Sequence, residues 1–338
     1  MIFPIIYPTA EIYWRRYEYL QRISEIKMSE EMRRTLPDSF SCKPSLELVQ
    51  KLIEDQLLTP PICMIVPDAN SRLRHDEIHC IIKPNKLPSY SFVDLCRYQK
   101  SSAESIIYVV VASPELCFLQ ASETLKIYDA IKFGYELCSD FFYCKNEKYG
   151  LSYHPSITSR QKISDFLSRA EKMKGIPMAR RSLQYVHNHA RSPMEILQAM
   201  VVSLPISYGG FAVKGFELNG HAELSTDGKR ILGGSSCICD MIWEKQKVVL
   251  EYDSNQVHLD SYRHAKDKNR ISALGASGYK VFTLTTNDIR SPSKVENILF
   301  ALRNELGLKK ETRQFQKFRF RRGELLNWVI DQMNRDLI

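Results

Sequence analysis

No CxxC pair occurs among the nine cysteines, which are scattered at positions 42, 63, 80, 96, 117, 138, 144, 237 and 239. That absence excludes the ligand spacing of a zinc ribbon and the redox motif of a thioredoxin, and reduced thiols in a cytoplasm are expected. No apolar run approaches the roughly 20 residues that span a bilayer, so no membrane helix is expected. The opening MIFPIIYP is apolar but lacks a basic leader and a small-residue cleavage site, and it does not read as a secretory signal. Internal repeats and low-complexity tracts are also lacking, which sets aside solenoids and mucin-like stalks. No long stretch is short of aromatic or branched residues, so wholesale disorder is not expected.

What is present is the composition of a soluble globular chain, 44% hydrophobic and 25% charged over 338 residues. That length exceeds one average core, and two domains are expected. A net charge of +8 suits a phosphate-rich partner, although many proteins that bind none are as basic.

The pattern along the chain predicts an N-terminal α+β module over 1–155 with a recognition or regulatory role, and a second domain over 156–338. Thr9 caps a helix whose buried face is Tyr13, Tyr17 and Leu20. Ile62–Val66, Ile78–Ile82 and Ile106–Val111 are short apolar runs bounded by strand punctuation. Ser113-Pro114-Glu115 opens helical texture that continues to about Tyr143. After the polar, Gly- and Pro-broken segment 145–159, helices are expected at about 161–173 and 178–190. Ser192-Pro193-Met194-Glu195 is a capping-box helix start, with the helix running to about Leu204. Strands follow at 237–243, 247–253 and 280–284, with helices at about 261–277 and 292–306. The order helix, strands, helix, strand, helix predicts an α/β (α+β) mixed sheet flanked by helices.

Asp240 interrupts one apolar strand, and Glu251 and Asp253 close the next, Val248-Val249-Leu250-Glu251-Tyr252-Asp253. Alternation puts Glu251 and Asp253 on one face, and the short Glu244-Lys245-Gln246 turn lays Asp240's strand alongside. Clustered carboxylates repel unless a cation sits between them, and oxygen-only ligation favours Mg2+ or Mn2+. Such an ion polarises a phosphodiester and lowers the pKa of a bound water. The alternative reading is three strand-end carboxylates facing solvent or nearby lysines.

The run from Ser192 to about Gly307 resembles the branch of the PD-(D/E)XK nucleases related to very-short-patch-repair endonucleases. The resemblance rests on Ser192-Pro193-Met194-Glu195, Phe216-Glu217-Leu218-Asn219, Asp240 ahead of Glu251-Tyr252-Asp253, His258, Asp267 with Arg270, and Gly278-Tyr279-Lys280-Val281-Phe282. It implies a restriction-endonuclease-like fold in a bacterial cytoplasmic protein, with Asp240, Glu251 and Asp253 as metal ligands and Glu195 as an outer carboxylate. Asp253 stands in the place of the lysine that names the superfamily. The resemblance then implies His258 as general acid or base, and Lys266 or Arg270, near Asp267, as the cation facing the phosphate. The first half is similar, more loosely, to the module of AbiEi-type regulators of toxin–antitoxin pairs, through Thr9-Ala10-Glu11, Tyr13-Trp14-Arg15 and Ser113-Pro114-Glu115-Leu116-Cys117. That implies a cognate toxin or antitoxin partner.

In the run KKETRQFQKFRFRR from Lys309 to Arg322, Lys317, Arg319 and Arg321 alternate with Phe318 and Phe320. An extended strand would put the cations on one face, and with Arg322 they are candidates for gripping nucleic-acid phosphates. An edge strand charged against aggregation is the competing reading. The expected function is a metal-dependent DNA endonuclease or nickase in repair, restriction or mobile-element defence. The alternatives are an inactive DNA-binding regulator or antitoxin-like protein, and an RNA-cleaving toxin.

Overall fold

The computed structural model describes residues 1–15, 33–42, 44–55, 57–83, 87–99, 106–144, 147, 150–253, 261–308 and 313–336, with the backbone alone at 261–267, 314 and 336. Its contacts divide the chain into two mixed α/β units, Met1–Asn188 and His189–Ile338. The first unit, expected to be the smaller and to end near residue 155, is the larger.

In the first unit a six-stranded sheet contains β1 (Ile2–Ile5), β2 (Arg33–Arg34), β3 (Ile62–Val66), β4 (Ile78–Ile82), β5 (Phe92–Gln99) and β6 (Ile106–Ala112), in the order β2-β5-β6-β1-β3-β4. β1 runs parallel to β6 and antiparallel to β3, so an opening that lacks the marks of a signal peptide is a central strand. Helices α1 (Thr9–Arg15), α2 (Leu46–Glu54), α3 (Pro114–Ala121), α4 (Ile127–Leu137), α5 (Arg160–Arg169) and α6 (Ile176–Leu183) complete the unit. The expected α1 positions Tyr17 and Leu20 lie outside the described residues.

Ser113 caps α3 as expected, its hydroxyl accepting from the Leu116 amide, with Pro114 in the first turn. Helical texture stops short of Tyr143, however. α4 ends at Leu137, and β7 (Phe141–Tyr143) pairs antiparallel with β8 (Leu151–Tyr153). α5 packs on α3 and α6 on α4, which moves the boundary from about 155 to 188. Their apolar positions, Ile163, Phe166, Leu167, Ala179 and Leu183, are buried within this unit.

The second unit opens with α7 (Pro193–Ser203). Its four-stranded sheet has β9 (Glu217–Glu223), β10 (Ser236–Trp243), β11 (Val248–Asp253) and β12 (Lys280–Thr285) in the order β12-β11-β10-β9. β9, β10 and β11 form an antiparallel meander. β12 joins parallel to β11, because α9 (Ser261–Ala276) carries the chain back across the sheet. α8 (Thr226–Leu232) lies against α9, and a Cβ on Gly228 would stand 2.2 Å from the Ser277 hydroxyl, so only glycine admits that approach. α10 (Thr286–Ile289), α11 (Pro292–Glu305), α12 (Arg313–Lys317) and α13 (Arg319–Asp336) finish the unit.

The basic segment is helical where the alternation predicted a strand. Phe315, Arg322, Leu325, Leu326, Val329 and Met333 are buried at helical spacing, and this longer period overrides a five-residue alternation. In a helix Lys317, Arg319 and Arg321 no longer share a face.

Candidate functional site

Ser192 caps α7 and places the first site residue, but the expected capping box is only half formed, because the Glu195 carboxylate turns to the Arg191 amide and the Ser192 hydroxyl instead of the Ser192 amide. The Ser192 hydroxyl accepts from the Glu195 amide at 3.1 Å and donates to Glu195 Oε1 at 3.0 Å. Glu195 Oε2 accepts from the Arg191 amide at 2.9 Å and from Asn219 Nδ2 at 2.6 Å. Asn219 also donates to the His189 carbonyl at 2.9 Å, so it ties β9 to the entry of α7. It sits at φ 51°, a left-handed conformation that asparagine tolerates better than most residues. Sequence reasoning quoted Asn219 but assigned it no role; its position beside Gly220, in the run that becomes the first strand of the meander, was the available signal.

Glu195 is 7% exposed and Glu251 5%. Half-buried Asp240 stands between them electrostatically. Burial and then the Asp240 charge raise the pKa of each glutamate to about 7, against the hydrogen bonds that hold Glu195 and the Arg270 charge beside Glu251. The pKa of Asp240 is itself raised by burial, which outweighs the Tyr252 amide donating to its Oδ2 at 2.7 Å and the Arg270 charge.

Arg270, on α9, donates through Nη2 to Glu251 Oε2 at 2.7 Å and through Nη1 to the Ile238 carbonyl at 3.1 Å. Among the described residues, Glu251 Oε1 is buried without a hydrogen-bond partner, and so is Arg270 Nε. When all are ionised, three carboxylates against this one guanidinium leave two negative charges uncompensated among the described residues.

The expected ligands Asp240, Glu251 and Asp253 are not brought together as a set. Asp253 is exposed at the end of β11, and among the described residues no group of three or more His, Cys, Asp or Glu is arranged to hold a metal ion. Asp240 and Glu251 nevertheless fit a hard divalent ion. A buried, unpartnered carboxylate oxygen needs a proton or a cation, and magnesium usually takes only one or two protein carboxylates, with waters and substrate oxygens filling its shell. His258 lies outside the described residues, as do the side chains of Lys266 and Asp267.

The expected phosphate-gripping set divides. Arg322 is 3% exposed, donates through Nε to Glu296 at 2.6 Å, and stands among the rings of Phe211, Phe300 and Phe315. It is a core cation, because α13 turns it inward, and it is not free for nucleic acid. Arg321 pairs with Glu324 at 2.8 Å, while Lys317 and Arg319 are exposed. No family model, curated protein or solved structure matches the chain.

Proposed function

We propose that the second unit is a restriction-endonuclease-like domain of the PD-(D/E)XK type that hydrolyses DNA phosphodiesters with Mg2+ or Mn2+, as an endonuclease or nickase. The observation that carries this reading is Asp240 acting by its charge on two buried carboxylates, one on the opening helix and one on the neighbouring strand, with one buried carboxylate oxygen left without a partner among the described residues. The topology supports it: a helix, a three-strand meander, a crossover helix and a parallel fourth strand carry the residues as such a core requires. Perturbed carboxylates drawn from one helix and two neighbouring strands are also the kind of cluster that functional sites produce.

In this reading Asp240 and Glu251 would hold the ion, with Glu195 behind them. A bound divalent ion supplies phosphodiester polarisation and a water of lowered pKa. The chain's own part is to hold the carboxylates in place: Tyr252 fixes Asp240, Arg270 fixes Glu251, and Ser192, Arg191 and Asn219 fix Glu195. In this reading Glu195, raised to about 7, exchanges a proton near neutrality and would take one from water at the site.

Plasmid DNA incubated with Mg2+ or Mn2+ is the test. Nicking or linearisation that falls at least a hundredfold in Asp240→Asn and Glu251→Gln, with melting temperatures retained, is expected. Absence of cleavage with either ion, across DNA and RNA substrates, would contradict it.

Two observations favour a second reading, a DNA-binding regulator or antitoxin-like protein that does not cleave: Arg270 already pairs with Glu251, and the described residues include no three-ligand group. Salt-sensitive DNA binding unaffected by those two substitutions, without cleavage, would select it.

A further inference from the structure

Cys237 and Cys239 are two residues apart on β10, and that spacing sends both side chains to one face of the strand. Their sulfurs are 3.9 Å apart. Both pack in an apolar cluster with Ala222, Ala273 and Tyr279, but Cys237 keeps 7% of its surface open while Cys239 keeps none. Ile238, between them, holds the Arg270 guanidinium on its carbonyl, and the same guanidinium holds Glu251. Asp240 is the next residue along.

We infer that Cys237 and Cys239 form a redox-responsive dithiol that an oxidant of the hydroperoxide class closes to a disulfide within β10. Cys237, the more open residue, is oxidised first: its thiol takes one oxygen from the peroxide to give a sulfenic acid, and the peroxide leaves as water or alcohol. The Cys239 sulfur then attacks the sulfenic sulfur. An S–S bond forms, the S–OH bond breaks, and the hydroxyl leaves as water with the Cys239 proton. Two thiols have lost two electrons and two protons, and the peroxide has accepted them.

Two residues of strand separate the Cα atoms by roughly 6.6 Å, near the upper limit of the roughly 4.4–6.8 Å that a disulfide spans. Closure therefore draws β10 together at Ile238 and shifts the carbonyl that anchors Arg270. A bridge formed under such strain is readily reduced, as regulatory disulfides are. The disulfide stands on the sulfur geometry; its effect on cleavage rests on the proposed nuclease reading.

The full chain is treated with hydrogen peroxide and digested without reduction, and the peptide carrying 237–239 is weighed. A loss of about 2 Da, restored by dithiothreitol, is expected. In Cys239→Ala, Cys237 is expected to be trapped by a sulfenic-acid reagent, and in Cys237→Ala no intrapeptide disulfide forms. Both thiols still open to alkylation after peroxide, or direct passage to sulfinic acid, would overturn the inference.

Cleavage is measured on the same samples. A tenfold or greater loss on oxidation of the wild type, recovered with dithiothreitol and not seen in Cys239→Ala, is expected. Unchanged cleavage by a protein shown to carry the disulfide would overturn the control of the site. A disulfide that forms in a protein inactive in both states supports the dithiol and counts against the nuclease.

Discussion

Both units bury carboxylates, and they treat them in opposite ways. In the first, Glu115 is 1% exposed, accepts two hydrogen bonds from Arg33 at 3.0 and 3.1 Å, and takes a third from Thr158 at 2.6 Å. Glu136 lies beside Arg15 and Lys132. Burial pushes both pKa values up, but the partners pull them below the ordinary value. Glu11 is the exception, since burial outweighs the Arg15 it pairs with. In the second unit Glu195, Asp240 and Glu251 all titrate above their ordinary values. Buried carboxylates paired with cations keep their charge inside the fold, whereas carboxylates left beside one another lower stability while ionised.

The contrast sets the expected mutational effects. Glu115→Ala should cost the most, about 3–5 kcal/mol in urea unfolding, because it strands Arg33 and Thr158. Arg322→Ala should cost about 3 kcal/mol by leaving Glu296 unpaired and opening the Phe211, Phe300 and Phe315 cluster. Asp240→Asn should change stability in the other direction, raising it on the order of 1 kcal/mol without metal, since it removes the charge that both glutamates feel and keeps an acceptor for Tyr252. A loss of stability in Asp240→Asn would erase the distinction between the units.

The pH dependence separates them further. Between about 4.5 and about 7 the folded protein keeps protons on Glu195 and Glu251 that the unfolded chain has released, so these residues make stability fall as pH rises through that window. Burial, and then Arg160, lower the His187 pKa from 6.5 to about 4, so there the unfolded chain holds the extra proton and stability falls as pH drops. Melting curves of Glu195→Gln with Glu251→Gln should therefore lose a pH-dependent decline on the order of a few degrees in Tm that the wild type shows without metal. The smallest effect belongs to Lys317→Ala and Arg319→Ala, each within about 0.5 kcal/mol of wild type.

Much of the second unit was legible because its signals are local and agree with one another. The Ser192 helix cap, the apolar runs of β10 to β12, and carboxylates where hydrocarbon is expected all depend on a few adjacent residues. β9 was not recognised as a strand because Glu217-Leu218-Asn219-Gly220-His221 has few apolar residues and includes a left-handed Asn219. The Arg270 pairing with Glu251 is non-local, and sequence assigned that arginine to phosphate instead. Arg322 was misjudged for a similar reason, since its inward turn depends on a helix extending to residue 336. The Cys237 and Cys239 pair escaped a search for CxxC, although a spacing of two on a strand already puts both sulfurs on one face. In the first unit, the helices after residue 159 were anticipated, but their attachment to α3 and α4 is a packing outcome that local pattern does not encode.

The central claim is that the repelling carboxylates of the second unit accept a divalent cation. Mn2+ titrated into the full chain near pH 7 and followed by electron paramagnetic resonance tests it directly. The account predicts one bound ion per chain, proton release as Glu195 and Glu251 lose their retained protons, and loss of both signals in Asp240→Asn. Mn2+ that stays free at millimolar concentration, or that binds equally to wild type and Asp240→Asn, would contradict it.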